Sequence, residues 1–150
     1  MRHLRRMRYD TTVDVAASPQ DVWRVLEDVE TWPSWTRSMT SVQRAAAGPL
    51  HPGEHVQVRQ PGLPPAEWTV TAVEPGESFT WSSHATGVTT SATHVLAPTR
   101  DGTRVTLTIE QHGVLAGLTG AMLGGKVRRY VEIEAAGLRA RLQRPPSDGA

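Results

Sequence analysis

The chain is expected to fold as α+β, with a curved antiparallel sheet of about six or seven strands, two short helices after the first strand and a long C-terminal helix. Three observations predict this. A capped amphipathic helix follows the first strand-like segment. Five further alternating segments come after it, divided by proline and glycine. The last long segment is of helix length and carries an apolar stripe.

Residues 10–16 alternate, Val13 and Val15 on one face and Thr12 and Asp14 on the other, which is the period of a half-buried strand. "SPQD" then changes the rhythm: Ser18 is a good N-cap, Pro19 suits the first helical position and Asp21 sits in the first turn. Val22, Val25, Leu26 and Val29 follow at i, i+3, i+4 and i+7. This helix must end before Pro33, because a residue preceding proline is pushed out of the helical region, so "PSWTR" has room for a short second helix at most.

The later segments read as strands. "HVQVRQ" sets Val56 and Val58 against His55, Gln57 and Arg59; "EWTVTAV" groups Trp68, Val70 and Ala72; "SFTWSSH" groups Phe79, Trp81 and Ser83. "TTSATHVLAP" groups Ala92, His94 and Leu96, and "RVTLTIEQH" groups Val105, Leu107, Ile109 and Gln111. Asp101-Gly102 between the last two is a hairpin signal, and the short connections imply an antiparallel meander.

From about residue 115 to 143 the composition is helical, with a stripe of Val127, Val131, Glu134, Leu138 and Leu142. Continued backwards, that stripe meets Gly117, Gly120, Ala121 and Gly124, and glycine costs about 1 kcal/mol relative to alanine inside a helix. Two readings stay open: a kink near Gly124-Gly125, or an empty volume where side chains are missing.

Composition narrows the function. The 150 residues suit one domain, expected over residues 9–144, with a basic N-terminal tail (1–8) and a disordered C-terminal tail (145–150). A net charge of +1 offers no global attraction to nucleic acid. The absence of cysteine excludes disulfides and thiol chemistry and suits a cytoplasmic protein, while "MRHLRRMR" carries no apolar run for secretion or an integral membrane segment. Residues 51–55, "HPGEH", satisfy the pattern H-x-x-E-H, but Pro52-Gly53 breaks the helix on which that pattern binds zinc, so no metal is expected. No phosphate-cradling or dinucleotide fingerprint occurs, and no cofactor is expected.

The stretches "VDVAASPQDVWRVLEDVETWPSWTRSM", "PGLPPAEWTVTAVEPGESFTW", "GTRVTLTIEQHG" and "RRYVEIEAAGLRARL" resemble the SRPBCC, or START-like, superfamily in its polyketide cyclase/dehydrase and lipid-transport branch, over about residues 10–143. The resemblance implies a helix-grip fold and a deep apolar cavity between sheet and last helix that binds a lipid, isoprenoid or polyketide-like molecule. The buried Arg, Tyr, Ser and His set of the aromatase/cyclase enzymes is not matched here residue by residue.

Five Trp beside one Phe and two Tyr is a lopsided inventory. The resemblance makes the segment after the first helix a cap on the cavity, so Trp32, Trp35 and Met39 are candidates to line or gate it, with core packing as the other reading. The expected lining is completed by Val58, Trp68, Trp81, Ser83, His94, Leu107, Gln111, Leu118, Ala121, Met122 and Tyr130. His94 is the candidate general acid/base, because an imidazole on an apolar wall can take a proton from an activated carbon and return it to a carbonyl oxygen; a hydrogen-bonded core histidine is the alternative. His84 and His112 fall on the opposite face of their strands.

Three functions are weighed. The first is binding of a hydrophobic small molecule by a monomer or homodimer. The second is a polyketide cyclase or dehydratase using His94. The third is a protein-interaction or co-chaperone module, for which the basic residues 2–8 and 126–129 would matter.

Overall fold

A computed structural model describes residues 6–143. The expected C-terminal tail and the first five residues lie outside them. Seven strands form one antiparallel sheet in the order β1-β7-β6-β5-β4-β3-β2. They are β1 (Arg6–Val15), β2 (Ser41–Arg44), β3 (His55–Arg59), β4 (Ala66–Glu74), β5 (Ser78–Ala85), β6 (Val88–Thr99) and β7 (Gly102–His112). Helix α1 (Pro19–Glu27) and a 3-10 helix (Val29–Ser34) follow β1, and α2 (Ala116–Gln143) closes the chain.

Helix α1 starts as its sequence dictates: the Ser18 hydroxyl accepts from the Asp21 N–H at 3.2 Å, with Pro19 in the first turn. Val22, Trp23 and Leu26 are its buried residues. The second helix lies earlier than expected, with Pro33 near its end, so its missing N–H falls in a turn too short to need it.

Strand β1 begins at Arg6, inside the stretch expected to be a tail, because β7 reaches out to pair with it: Arg6 lies opposite His112 and Arg8 opposite Glu110. Arg6 binds the Glu110 carboxylate at 2.8 Å, and Arg8 binds Asp10 at 3.1 Å. Two of the basic residues considered for a partner surface therefore belong to the strand ladder. Strand β2, which had no counterpart among the expected segments, is a four-residue edge strand that takes its register from β3.

Two expected details move. Thr71 is an extra residue in β4, so Val70 pairs with Trp81 but Ala72 with Thr80; beyond this bulge Ala72 turns to solvent and Val73 lies opposite Phe79. The β6–β7 turn is Arg100-Asp101, while Gly102 pairs with Thr99 as the first residue of β7. A Cβ on Gly102 would stand 2.1 Å from the Val15 carbonyl oxygen, so glycine is required here by the neighbouring backbone.

The core joins Val22, Leu26, Val29 and Trp32 to Val56, Val58, Val70, Phe79, Trp81, Val105 and Leu107, with Val131, Ala135 and Leu138 from the C-terminal half of α2. Gly137 sets that half close: a Cβ there would lie 2.1 Å from the Trp35 carbonyl oxygen. The helix continues unbroken through Gly124-Gly125, where an added Cβ would meet nothing within 4 Å. Among the described residues, no helix is long and apolar enough to cross a membrane.

Candidate functional site

Between the sheet and the N-terminal half of α2 lies a cavity of about 450 Å³, within the range of small-molecule sites. The register settles what faces it. Trp81 pairs with Ala92, His94 with Leu107 and Thr90 with Gln111, which puts Trp81, Ala92, His94, Leu107 and Gln111 on one wall. Thr119, Leu123, Val127, Tyr130 and Glu134 of α2 form the opposite wall. Trp68, Met39 and the β3–β4 connection, with Leu63, Pro64 and Pro65, close one side. That connection is fastened to α2: the Tyr130 hydroxyl donates to the Pro61 carbonyl, and Lys126 Nζ donates to the Gly62 carbonyl at 3.4 Å.

Of the residues expected at a ligand, Met39, Trp68, Trp81, Ser83, His94, Leu107, Gln111 and Tyr130 border this space. Trp32, Trp35 and Val58 do not. Trp32 is fully buried because its Nε1 donates to the Leu26 carbonyl at 3.0 Å and its ring meets Trp81, Trp35 and His94, each at 5.3 Å between centroids. Val58 is spent in the core, and Trp35 packs on Trp32 beside Gly137. The side chains of Leu118, Ala121 and Met122 lie outside the described residues.

Gly124 borders a separate crevice of about 20 Å³ against Met7, Tyr9 and Arg128, and the described α2 residues on the cavity carry side chains.

One ionisable pair is buried in the cavity wall. His94 Nε2 lies 3.3 Å from Glu134 Oε2, with the two side chains 3% and 12% exposed. His94 Nδ1 lies 3.4 Å from the Phe79 carbonyl, and its ring stacks on Phe79 at 4.2 Å and 14°. Both ring nitrogens thus lie beside acceptor oxygens. Glu134 is the cavity residue that periodicity concealed: its place in an otherwise apolar stripe was the signal. His84 is exposed, its Nδ1 3.0 Å from the Thr89 hydroxyl, and His112 lies 3.5 Å from Glu110.

The H-x-x-E-H pattern forms a turn leading into β3, with Gly53 at φ +95°. Its glutamate points inward. Glu54 accepts from Arg44 Nε at 2.7 Å and Nη2 at 2.9 Å, and from the His51 N–H at 2.9 Å. Burial alone would raise the Glu54 carboxyl pKa, but these hydrogen bonds hold it below its usual range. His55 instead meets Thr69 and Glu67 at the surface. Among the described residues, no group of three or more His, Asp or Glu is placed to hold a metal ion.

An antiparallel sheet gripping a long helix, with an interior cavity between them, defines a helix-grip protein. A family model described as "Polyketide cyclase / dehydrase and lipid transport" matches residues 6–143. The chain belongs to that family. No curated protein matches it.

Among solved structures it is similar to the ZhuI aromatase/cyclase of Streptomyces sp. R1128, with 19% identity and a TM-score of 0.76, covering 97% of this chain and 98% of that one. It also resembles the major latex-like protein 151 of Panax ginseng, with 9% identity and a TM-score of 0.76, covering 92% and 98%. The di-domain aromatase/cyclase StfQ of the steffimycin biosynthetic pathway shares 11% identity with a TM-score of 0.74. This chain spans about half of StfQ, covering 95% of its own length and 52% of StfQ's. These likenesses show the fold. Family and fold together fit a role in hydrophobic-ligand binding or polyketide cyclisation.

Proposed function

We propose that this protein binds a hydrophobic small molecule in the cavity between the sheet and α2. The observation that carries the reading is the 450 Å³ space with Trp68, Trp81, Leu107, Leu123, Val127 and Val131 on its walls. Burying apolar ligand surface against such walls contributes roughly 25 cal/mol per Å². The two lining indoles make the test direct. Titration with lipids, isoprenoids and aromatic polyketide-like compounds is expected to quench or shift Trp emission, and native mass spectrometry to show one ligand per chain. No response across that panel overturns the reading.

The buried His94–Glu134 pair favours a second reading, a cyclase or dehydratase. Glu134 is the more exposed member and His94 its buried partner, so the two serve as one acid/base unit. The carboxylate takes a proton from a methylene flanked by carbonyls; the enolate carbon bonds to a second carbonyl carbon; the pair returns the proton to the new alkoxide. Loss of water then completes a dehydration. On a substrate that the protein turns over, His94→Ala and Glu134→Gln are each expected to slow turnover by roughly 10²–10⁴-fold while leaving ligand binding measurable. Unchanged turnover in both variants refutes this role.

A further inference from the structure

The charge on the cavity wall carries one step more, and this step rests on the reading of the cavity as a ligand site. Among the described residues, no lysine or arginine lines it. The buried imidazole on the wall is committed, since His94 Nδ1 faces the Phe79 carbonyl at 3.4 Å and Nε2 faces Glu134 at 3.3 Å. Lys126 is not part of the wall, and its Nζ is turned to the Gly62 carbonyl. His84 borders the space at its exposed rim, with its Nδ1 3.0 Å from the Thr89 hydroxyl, and Glu67 adds a second carboxylate there; the other polar side chains of the wall, among them Ser83, Gln111 and Thr119, are neutral.

A carboxylate entering this space would shed its hydration with no lysine or arginine to replace it, and would approach the Glu134 carboxylate. A ketone or hydroxyl sheds far less and finds hydroxyl and amide partners. We propose that the cavity discriminates by charge: it admits uncharged apolar molecules bearing carbonyl or hydroxyl groups and excludes those with a free carboxylate or phosphate, with Glu134 as the specificity-determining residue.

The test compares two pairs of near-equal shape, 2-acetylnaphthalene with 2-naphthoate and 1-dodecanol with dodecanoate, by equilibrium dialysis at about pH 8, where both acids are ionised. The neutral member of a pair is expected to bind at least about tenfold more tightly. Glu134→Gln is expected to narrow that gap. Gln111→Arg, which sets a cation on the wall, is expected to close it, and Ser83→Lys offers the same change at a less buried position should the first variant fail to fold. An acid that binds wild-type protein as tightly as its neutral partner overturns the charge rule while leaving the cavity reading intact. If no member of either pair binds, the cavity reading itself fails, and the charge rule with it.

Discussion

Replacing Gly137 by alanine is expected to destabilise the protein, against the usual direction for a glycine inside a helix. Helix propensity alone favours the alanine by about 1 kcal/mol. The structure opposes it: the new Cβ would lie 2.1 Å from the Trp35 carbonyl oxygen, 3.2 Å from its carbon and 3.4 Å from Thr36 Cα. Ordinary contact begins near the last of these distances, so α2 would have to retreat by about 1 Å, loosening the neighbouring Leu138 and Ala135 in the core. Overpacking of this kind costs about 1–3 kcal/mol, and a backbone obstacle belongs at the upper end. The net loss is then about 1–2 kcal/mol, or a fall in Tm of roughly 2–8 °C for a chain of this size.

Gly124→Ala on the same helix is the control. Nothing lies within 4 Å of its added Cβ, so the propensity gain of about 1 kcal/mol should appear undiminished. Urea and thermal unfolding followed by circular dichroism measure both variants. If Gly137→Ala is as stable as wild type, the close approach of α2 to Trp35 is not what holds the helix in place, and the reasoning fails.

Arg44→Gln leaves the Glu54 carboxylate buried without its guanidinium, at an expected cost of about 3–5 kcal/mol near neutral pH. Because the folded-state pKa of Glu54 is depressed, the stabilisation is present above its unfolded value of about 4.3 and is lost as pH falls through the folded value. The gap between wild type and variant should therefore shrink on acidification, as denaturant titrations from neutral pH downward would reveal; a gap independent of pH contradicts the assignment. Trp32→Phe deletes the donor to the Leu26 carbonyl and is expected to lower stability by about 1–3 kcal/mol. Equal stability in chemical denaturation would reduce Trp32 to a space filler.

Local chemistry was readable where it decides the outcome alone. Ser18 and Pro19 start α1 by capping and fixed φ, and the alternation of Ala92, His94 and Leu96 or of Val105 and Leu107 assigns their faces without a partner strand. What escaped depends on distant residues. The extension of β1 to Arg6 exists because Glu110 and His112 lie opposite it. Strand β2 exists because β3 does, and the Thr71 bulge reverses Ala72 in a run that alternates without a flaw on paper. Trp32 and Trp35 look equivalent as neighbours of Pro33, yet only the folded surroundings separate one whose indole donates to Leu26 from one whose backbone carbonyl lies against Gly137. For the candidate site, one half of the ionisable pair was legible as a histidine on an apolar face. The other half was hidden because a helical stripe is recognised by its period, and Glu134 keeps the period while breaking the polarity.

The indoles have a consequence for light. Trp35, Trp32, Trp81 and Trp68 stand in a row, with successive centroids 5.3, 5.3 and 5.7 Å apart. At such spacings an excited ring passes its energy to its neighbour before it emits, so photons absorbed deep in the packed interior reach the two rings that border the hollow. Emission from this chain should be strongly depolarised even when tumbling is slow. A single quenching guest beside Trp68 or Trp81 should then darken the whole row at once.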